Sequence, residues 1–470
     1  MWWPMCGRWS EGMCILFVAA SILNVRVGTG HLDFVRVVLD LDGRPKAEVR
    51  AEGARIRIRL SGGASREWRE RRVDHPPVSS VRWSRGEAEI VLNTPSRFRQ
   101  FVLERPWRLV VDVRRPEGGA RLCPGVEWRR ERVGEAVVNV LRVDPKVAEV
   151  RPVLAGGGIR GRASVGVMAE REGAVAAVNG GYFDTKSGEV VGMLVLFREW
   201  FKSPDVGKSA FLVPPDGRPR VSRCRFVGAV RVGDTLFPLE GINVPQPASE
   251  ALVAYNFRYG RKCPWSKVGA TRVVVEGGVV RRVMIASRAI PIPRGGWVIS
   301  ATGRLGWRLA SVAREGMEVK FFPRLEPGPG EGIHARGAGP MLVEGGREVV
   351  GEAIREERVG PQPNRRRART AIGIDSRGRV LLVAVERVPG WSEGATLFEL
   401  AEILRGLGAV KAMNLDGGGS TMMLARGEKL VEPEGGRERL VTDAIVVLPQ
   451  RFSLREVADV PFALLAGVGV

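Results

Sequence analysis

Runs of alternating apolar and polar residues recur along most of this chain, and glycine or proline separates one run from the next. The clearest lie at 34–41, 55–60, 88–92 and 108–113. A two-residue period places one face of an extended segment in a core and the other in solvent, so these runs predict half-buried β-strands. Residues 31–116 are therefore expected to form a small all-β unit.

The domain organisation follows from the length of the chain and from its turn-rich stretches. At 470 residues the chain exceeds the size at which one hydrophobic core keeps growing, which predicts two or three domains. A glycine- and proline-rich stretch predicts a linker over 117–134. Beyond it, strands alternating with glycine turns predict a mixed, strand-rich α/β domain over 135–450, followed by a C-terminal tail over 451–470. The predicted fold class is α+β.

One segment has the period of a helix instead of a strand. From Thr396 to Gly408 apolar residues recur at helical spacing, with Thr396 as N-cap, Glu399 three residues later and Gly408 as the stop. A strand from Val410 to Leu415 follows at once and ends in a polar glycine turn. Residues at the end of a strand can be held rigidly and still face a cleft, so this turn is a candidate site.

The first 30 residues predict a signal peptide or an N-terminal anchor. After a charged leader that contains Arg8 and Glu11, an apolar run of eleven residues extends from Met13 to Leu23. That length suits the core of a signal peptide and is too short to span a bilayer. Val27 to Gly30 is the candidate cleavage site. Both interpretations predict export to the cell envelope or the extracellular space.

The strong positive charge indicates an anionic partner. The formal net charge is +21, and most of the 73 basic residues are arginines, which keep their charge at any physiological pH. Nucleic acid, anionic lipid and the phosphodiester polymers or acidic glycans of a cell wall all fit such a surface. No nucleic-acid-binding module is recognisable, so no nucleic acid partner is expected.

Cysteine and histidine usage argues against a soft-metal site. The five cysteines include no CxxC pair, and the chain has three histidines. We expect no cofactor and no metal. A divalent cation shared by Asp184 and Asp416 is the alternative that the sequence leaves open.

Asp416-Gly-Gly-Gly-Ser-Thr421 is the sharpest local signal of a site. Successive glycines allow backbone N–H groups to converge on an anion, and two hydroxyls follow them. A phosphate would fit such a nest. The lysine of a Walker loop is missing, so a nucleotide-binding P-loop is not indicated.

Three further segments carry polar groups next to predicted strands. Asn179 to Asp184 contains a glycine pair flanked by Asn, Tyr and Asp, and 337–341 offers backbone donors. In the third segment, Arg365 to Arg367 are expected to form a solvated basic loop. Arg369 lies at the entry to a strand, where a guanidinium can bind phosphate in bidentate geometry.

Taken in chain order, these three segments, the segment 396–401 and the Asp416 motif resemble the motifs of the phosphodiester glycosidase family. The resemblance covers about 300 residues and implies hydrolysis of a sugar-1-phosphodiester. Asp416 is then the principal catalytic carboxylate, Asp184 its partner, and Glu399 a third candidate. The substrate- and phosphate-binding residues implied by the resemblance are Asn179, Gly180, Gly181, Tyr182, Arg369, Thr370, Gly417, Gly418, Gly419, Ser420 and Thr421.

The chain departs from the family pattern at two places. Many relatives resemble Asp-Gly-Arg where this chain has Val385-Glu386-Arg387, and Asp443 stands where relatives often have Asn. Both departures bear on substrate contacts, so the identity of the sugar and of the group attached to the phosphate is left open.

The front unit has a resemblance of its own. Residues 36–41 and 101–113, with a proline before the last strand and an aspartate within it, are similar to the AMIN domain of bacterial wall amidases. This resemblance implies a β-sandwich that binds peptidoglycan or another part of the cell wall. Two functions therefore stay open: a secreted glycosidase acting on a cell-envelope or exopolysaccharide substrate, and a non-catalytic envelope protein that binds anionic wall polymer or peptidoglycan.

Overall fold

The computed structural model describes residues 20–61, 67–204, 208–247, 250–326, 334–358 and 363–449. The chain forms two compact units, Met1–Pro116 and Glu117–Val470. Strands dominate the described residues of both units and α-helices are few. The predicted α+β class, rich in strand, is confirmed.

The first unit is built of antiparallel strands in two sheets. One sheet has the order β1-β2-β9-β8 and the other β3-β4-β7-β6-β5. Inward-facing residues of both sheets form one core, so the unit is a β-sandwich. Its described strands are β1 (Ile22–Gly28), β2 (Phe34–Leu41), β3 (Ala47–Glu52), β4 (Arg55–Leu60), β5 (Arg69–His75), β6 (Val78–Trp83), β7 (Glu87–Leu92), β8 (Phe98–Leu103) and β9 (Arg108–Arg114).

Asp112, the aspartate within the last strand of this unit, is buried in an ion-pair cluster. Its two carboxylate oxygens accept hydrogen bonds from Arg36 on β2, at 2.7 and 3.0 Å, and from Arg99 on β8, at 2.9 Å. The carboxylate is compensated by these cations from both neighbouring strands, which makes its burial tolerable. The aspartate singled out in the sequence therefore ties β2, β9 and β8 together.

The predicted boundary at residue 30 does not match the start of the sandwich. Strand β1 lies within the predicted leader and pairs with β2 through six residue pairs from Ile22 to Gly28. Val25, on this strand, is buried in the core of the sandwich. The N-terminal part of the apolar run and the tail over 451–470 lie outside the described residues. No helix in the described part of the chain is long and apolar enough to span a membrane.

The second unit contains the remaining strands and the helices. In chain order its described elements are β10 (Gly118–Cys123), β11 (Val126–Val133), β12 (Ala136–Val143), β13 (Ala148–Leu154), α1 (Val165–Glu172), β14 (Ala176–Asn179), β15 (Leu194–Leu196), β16 (Glu199–Lys202), β17 (Lys208–Val213), β18 (Arg220–Val232), β19 (Thr235–Leu239), β20 (Gly241–Ile242), β21 (Leu252–Asn256), β22 (Ala270–Glu276), β23 (Val279–Ala286), β24 (Trp297–Ala301), α2 (Gly303–Val312), β25 (Val319–Glu326), β26 (His334–Gly337), β27 (Met341–Glu344), β28 (Arg347–Glu348), α3 (Val350–Glu356), β29 (Arg369–Asp375), β30 (Val380–Val385), β31 (Arg387–Val388), β32 (Ser392–Glu393), α4 (Leu397–Gly406), β33 (Ala409–Asn414), β34 (Met423–Ala425), β35 (Glu428–Lys429) and β36 (Asp443–Pro449).

Two sheets of this unit supply the candidate site. The larger has the order β10-β11-β12-β30-β29-β33-β27-β28, and α4 packs on it through Leu400, Ala401 and Leu404. The other has the order β13-β36-β14-β34-β35, with α1 packed on one face. Strands β14, β29 and β33 end or begin where the two sheets meet, which brings their terminal residues together.

The predicted linker is wrong. Residues 118–133 form the hairpin of β10 and β11, and β11 pairs with β12 along its whole length. Trp128 and Arg130 on β11 are buried and contact Asn139 on β12. Glycine and proline in this stretch mark turns between strands, so composition alone could not separate a hairpin from a linker. The three described cysteines, Cys123, Cys224 and Cys263, are free thiols.

Candidate active site

Asn179 ends β14 and joins three segments that are distant in the sequence. Its side-chain amide donates to the carbonyl of Asp416 at 2.8 Å, and its side-chain oxygen accepts from the Thr370 hydroxyl at 2.7 Å and from the Met422 backbone N–H at 3.0 Å. Asn179 and Thr370 are fully buried. These two residues, predicted to contact substrate, instead lie beneath the Asp416 loop and hold it in place.

The glycine pair that follows Asn179 is required by close packing. A Cβ atom on Gly180 would lie 1.9 Å from Oδ2 of Asp443, and one on Gly181 would lie 2.5 Å from Cζ of Arg336. The backbone N–H of Gly181 donates to Oδ2 of Asp443 at 3.2 Å. The pair therefore allows a buried ion pair to approach the chain, and does not bind ligand through its own backbone.

Arg336 and Asp443 form that ion pair, and both side chains are completely buried. Two nitrogens of Arg336 donate to the two carboxylate oxygens at 2.7 and 3.0 Å, a bidentate geometry. The guanidinium also donates to the carbonyls of Tyr182 and Val191, each at 2.9 Å. Sequence reasoning missed Arg336, because the short strand β26, His-Ala-Arg-Gly, gives no local signal of a buried, paired charge.

Asp416 lies two residues after the end of β33 and is half-buried. Its Oδ1 accepts a hydrogen bond from the Gly417 N–H at 2.9 Å. Burial raises the pKa of Asp416 to about 6, and the negative charge of Asp443 also raises it, while Ser420, Gly417 and Arg439 act to lower it. A carboxylate with such a pKa, poised near neutrality, is typical of a catalytic group.

The three glycines after Asp416, called here the glycine loop (residues 417–419), do not form the predicted anion nest. Four of the five backbone N–H groups of 417–421 donate within the protein. In the described structure only Gly419 keeps its N–H without such a partner, and Gly418 has a φ of 61°, which favours glycine. The four bonds run from Gly417 to Oδ1 of Asp416, from Gly418 to the Ala368 carbonyl, from Ser420 to the Gly417 carbonyl and from Thr421 to the Gly418 carbonyl.

Three arginine side chains lie beside the glycine loop, although two nitrogens of Arg369 donate to the carbonyls of Ala395, at 3.0 Å, and Arg365, at 2.7 Å. A Cβ atom added to Gly417 would lie 3.7 Å from Cδ of Arg369. One added to Gly418 would lie 2.6 Å from Nη2 of Arg367, and one added to Gly419 would lie 2.9 Å from Nη2 of Arg439. Glu434 accepts from Arg367 at 2.9 Å, whereas Arg369 and Arg439 make no ion pair in the described part of the chain. The site has an excess of positive charge that a bound anion would neutralise.

Two of these arginines were not predicted. Arg367 was expected in a solvated loop, but it is half-buried because Glu434 binds both its side chain and the N–H of Ala368. Arg439 is exposed and donates to the Ser420 hydroxyl at 3.2 Å. The sequence carries no local signal for either, since both reach the glycine loop through tertiary contacts.

Tyr182 closes the other side of the site. Its hydroxyl donates to the carbonyl of Gly339 at 2.6 Å and accepts from the side-chain amide of Asn414 at 2.7 Å. Burial raises the pKa of Tyr182, and the charge of Asp416 raises it further, so this phenol stays protonated. The backbone N–H groups of residues 337–339 donate to carbonyls within the protein, so this segment does not offer the donors that were expected.

Asp184 does not join Asp416 in the structure. It is exposed on a surface turn, where its Oδ1 accepts from the Ser187 N–H at 2.7 Å, the Ser187 hydroxyl at 3.0 Å and the Lys186 N–H at 2.9 Å. These bonds, above all those from Ser187, lower its pKa. The carboxylate whose charge acts on Asp416 is Asp443, and the catalytic pairing of Asp184 with Asp416 stays a prediction.

Glu399 has a structural role at the start of α4. Its side chain accepts from the Thr396 N–H at 2.8 Å while its own N–H donates to the Thr396 hydroxyl at 3.1 Å, which completes a capping box. Arg366 donates to the same carboxylate at 2.6 Å. The predicted helix start is confirmed, and the carboxylate that was a catalytic candidate is occupied by the cap.

Two substitutions separate these roles for Glu399. Glu399→Gln keeps an acceptor for the Thr396 N–H, so we expect kcat/KM within about threefold of wild type and almost unchanged stability. Glu399→Ala removes the cap and should reduce the free energy of unfolding by about 1 kcal/mol. Steady-state assays and urea unfolding measure both effects. A loss of activity of 100-fold or more in Glu399→Gln would return this residue to the catalytic set.

Possible metal ligands do not gather at this site. No group of three or more His, Cys, Asp or Glu side chains in the described part of the chain is arranged to hold a metal ion. A cation shared by Asp184 and Asp416 stays a prediction.

The site combines a carboxylate of raised pKa with arginine side chains at the junction of two sheets. Residues 269–448 match the model of the phosphodiester glycosidase family. The matched range contains Asp416, the glycine loop and the three arginines around it. Over this range the chain is similar to the phosphodiester glycosidases.

Three solved structures match most of the chain. A hypothetical protein from Synechocystis is 24% identical with a TM-score of 0.66, covering 92% of this chain and 81% of its own. A protein from Burkholderia pseudomallei whose name calls it exported is 18% identical with a TM-score of 0.55, covering 94% and 100%. The catalytic domain of zebrafish N-acetylglucosamine-1-phosphodiester alpha-N-acetylglucosaminidase is 13% identical with a TM-score of 0.37, covering 82% and 88%. A comparison with curated proteins found no match.

Proposed function

We propose that this protein hydrolyses a glycosyl phosphodiester bond in a cell-envelope or exopolysaccharide substrate and releases the sugar. The observation that carries the proposal is Asp416 beside a glycine loop that three arginines surround. The family of residues 269–448 supports the same reaction class. A sugar-1-phosphodiester has the two features that such a site would recognise, an anion and an adjacent anomeric carbon.

The arginines would bind the phosphodiester. Arg369 and Arg439 are not neutralised by carboxylates of the described residues, and Arg367 shares Glu434 with Arg387 at 3.2 Å. Guanidinium groups bind phosphate oxygens through charged hydrogen bonds and hold the group in a defined orientation. As the bond from the sugar to the phosphate oxygen breaks, negative charge grows on that oxygen, and fixed cations stabilise it.

Asp416 would act on the anomeric carbon in its ionised form. A phosphate monoester is a good leaving group and takes the bonding electron pair without prior protonation. The carboxylate therefore either attacks the anomeric carbon or removes a proton from the water that does so. The raised pKa makes Asp416 a stronger base than an ordinary aspartate while leaving it mostly ionised above pH 6.

The pH profile tests this role of Asp416. If the ionised form is the active one, kcat/KM should rise about tenfold per pH unit below 6 and level off above it. The phosphodiester itself does not titrate in this range, so the profile reports the enzyme. Initial rates from pH 4 to 9 on a small sugar phosphodiester would show it. A profile that falls above pH 6 would mean that Asp416 acts as an acid instead.

Arg439→Gln tests the phosphate contact. Removing one exposed cation that faces the glycine loop should reduce kcat/KM for a phosphodiester by about 100-fold. An uncharged aryl glycoside of the same sugar should be affected by less than about threefold. Arg437→Gln, which removes an exposed cation two residues away, is the matched control and should leave both substrates unchanged. Equal losses on both substrates would contradict a phosphate-binding role.

The experiment that tests the reaction class measures the release of sugar from an α-N-acetylglucosaminyl phosphodiester by the purified protein, with and without a chelator. Release would establish the reaction class, and sensitivity to the chelator would show use of a metal. No release from a panel of sugar-1-phosphodiesters would favour the second function, an envelope protein that binds anionic wall polymer or peptidoglycan without catalysis.

The proposed function includes a location of the protein outside the cytoplasm. Export to the envelope or the extracellular space is supported by the apolar segment near the N-terminus and by the name of the Burkholderia protein of similar fold. We propose that the first unit, a β-sandwich, binds peptidoglycan or another cell-wall component. Cosedimentation of the full chain with purified peptidoglycan, compared with a chain that lacks residues 1–116, measures this binding.

A further inference from the structure

A second surface of the catalytic unit combines unpaired positive charge with exposed aromatic rings. It is formed by the loop 257–269, the hairpin of β22 and β23, and the loop 287–296, and is called here the basic surface. Backbone hydrogen bonds join the two loops: Cys263 donates to Ile290 at 3.0 Å and Ser266 to Ser287 at 2.9 Å. The side chains of these loops are therefore neighbours in space.

The scaffold under this surface is ordered by buried groups. Arg272 on β22 is fully buried and donates to the carbonyl of Pro264 at 3.0 Å and to the thiol of Cys263 at 3.4 Å. Cys263 packs with Tyr255 and Ile290 in one hydrophobic cluster. A surface with such a foundation is preformed, so little ordering entropy is lost when it binds a ligand.

The charge of the basic surface is strongly one-sided. Residues 257–296 contain a single acidic residue, Glu276, which lies beside the β22–β23 turn at the same end of the hairpin as Arg281 and Arg282. None of the exposed cations of this surface makes an ion pair within the described residues, whereas many arginines elsewhere in the unit do. These cations are Arg261, Lys262, Lys267, Arg281, Arg282, Arg288 and Arg294. Such a concentration of like charge attracts a polyanion, and is only weakly attractive to a neutral ligand.

Apolar rings lie among these cations. Trp265 is 72% exposed between Lys262 and Lys267, and Phe257 is 37% exposed with the guanidinium of Arg294 5.6 Å from its ring centre. A simple inorganic anion would gain nothing from an exposed indole. A polymer that carries flat, partly apolar units between its charges would gain both contacts, because the ring excludes water while the cations pair with the charges.

We propose that the basic surface binds a glycan whose sugar units are joined through phosphodiester groups, separately from the site at Asp416. The choice of this polymer rests on the proposed function, since a chain that cleaves sugar phosphodiesters meets such polymers. Each repeat presents a sugar face for Trp265 and a phosphate for a neighbouring cation. A single-stranded nucleic acid binds to rows of stacking aromatics along a groove, whereas this surface offers one strongly exposed ring.

The test uses a purified polysaccharide of N-acetylglucosamine-1-phosphate repeats, with the full chain in every measurement. One variant combines Arg261→Gln, Lys262→Gln, Lys267→Gln and Arg288→Gln, and a second carries Trp265→Ala. A matched control removes four exposed cations outside the surface, through Arg218→Gln, Arg347→Gln, Arg355→Gln and Arg377→Gln. Calorimetry at 50 and 200 mM salt measures affinity, and neutral dextran and single-stranded DNA serve as comparison polymers.

We expect the four-cation variant to bind the polysaccharide about 30-fold more weakly at 50 mM salt and to lose most of the salt dependence. Trp265→Ala should weaken binding about fivefold at both salt concentrations, because the ring contact is not screened. The control variant should bind within about threefold of wild type, since its four cations lie outside the surface. Dextran should not bind measurably to any of them.

Two results would overturn the proposal. Equal weakening in the four-cation and control variants would mean that total charge, and no particular surface, attracts the polymer. If single-stranded DNA binds as tightly as the polysaccharide and competes with it, the surface is not specific for a glycan. Hydrolysis of a small sugar phosphodiester separates this inference from the proposed function. The rate of this hydrolysis should be unchanged in all variants. If the wild-type protein does not hydrolyse the small substrate, only the function proposed at Asp416 is disproved.

Discussion

Asp416→Asn will reduce kcat/KM for a sugar phosphodiester by about 10³-fold or more, the loss expected when an enzyme's principal carboxylate is neutralised. Asparagine has nearly the same shape, and its side-chain oxygen can still accept the Gly417 N–H that Oδ1 accepts now. The arginines around the glycine loop stay in place, so binding of an anion should be retained or improved. Activity assays and phosphate-ester binding measure the two effects separately.

The same substitution should stabilise the protein above pH 6. The pKa of Asp416 is raised from an ordinary 3.8 to about 6, so the folded state resists ionisation more than the unfolded state does. This group therefore costs stability as the pH rises from about 4 to 6, and the cost persists above 6. Removing it should raise the free energy of unfolding by about 1 to 2 kcal/mol at pH 8 and change it little at pH 4. A purely structural Asp416 would give the opposite result, destabilisation with asparagine at pH 8.

Arg336→Met should have the largest effect on stability. It leaves the buried carboxylate of Asp443 without its cation, and it also removes the donors to the carbonyls of Tyr182 and Val191. Breaking a buried pair in this way costs about 3–5 kcal/mol. Urea unfolding of the full chain measures the loss, if the recorded spectroscopic signal reports the unfolding of the second unit.

A surface pair and a double substitution provide the controls. Arg220→Met removes an exposed partner of Asp216 and should cost less than about 1 kcal/mol. Arg336→Met combined with Asp443→Asn should be less destabilising than the sum of the two single changes, because no unpaired buried charge remains. Additive losses would show that the two side chains do not act as a pair.

Local patterns predicted the elements that local forces determine. The capping box at Thr396 and Glu399, the strand after it and the turn at Asp416 all follow from residues close together in the sequence. The alternating runs of the first unit became strands, and their inward residues form the core. These features depend on periodicity and on capping geometry, which a sequence displays directly.

The remaining parts of the site depend on contacts between distant segments. Arg336 and Asp443 contact each other, and Asp443 contacts Gly181, although these residues are more than a hundred positions apart in the sequence. Arg439 reaches Ser420 across a turn. Asp184 and Glu399 matched motif positions, yet local hydrogen bonds of a turn and of a cap occupy their carboxylates. Carboxylates that look alike in sequence differ in environment, and environment sets which one is reactive.

Strand β36 pairs with β13 on one side and β14 on the other, across nearly 300 residues. It also carries Asp443, on which both the position of the glycine pair and the burial of Arg336 depend. During synthesis the N-terminal parts of a chain can fold first, but here no nascent chain that stops before β36 can complete the site. A chain that lacks this strand loses the partner of β13 and β14 and leaves the buried Arg336 without its carboxylate, however well the sandwich has folded.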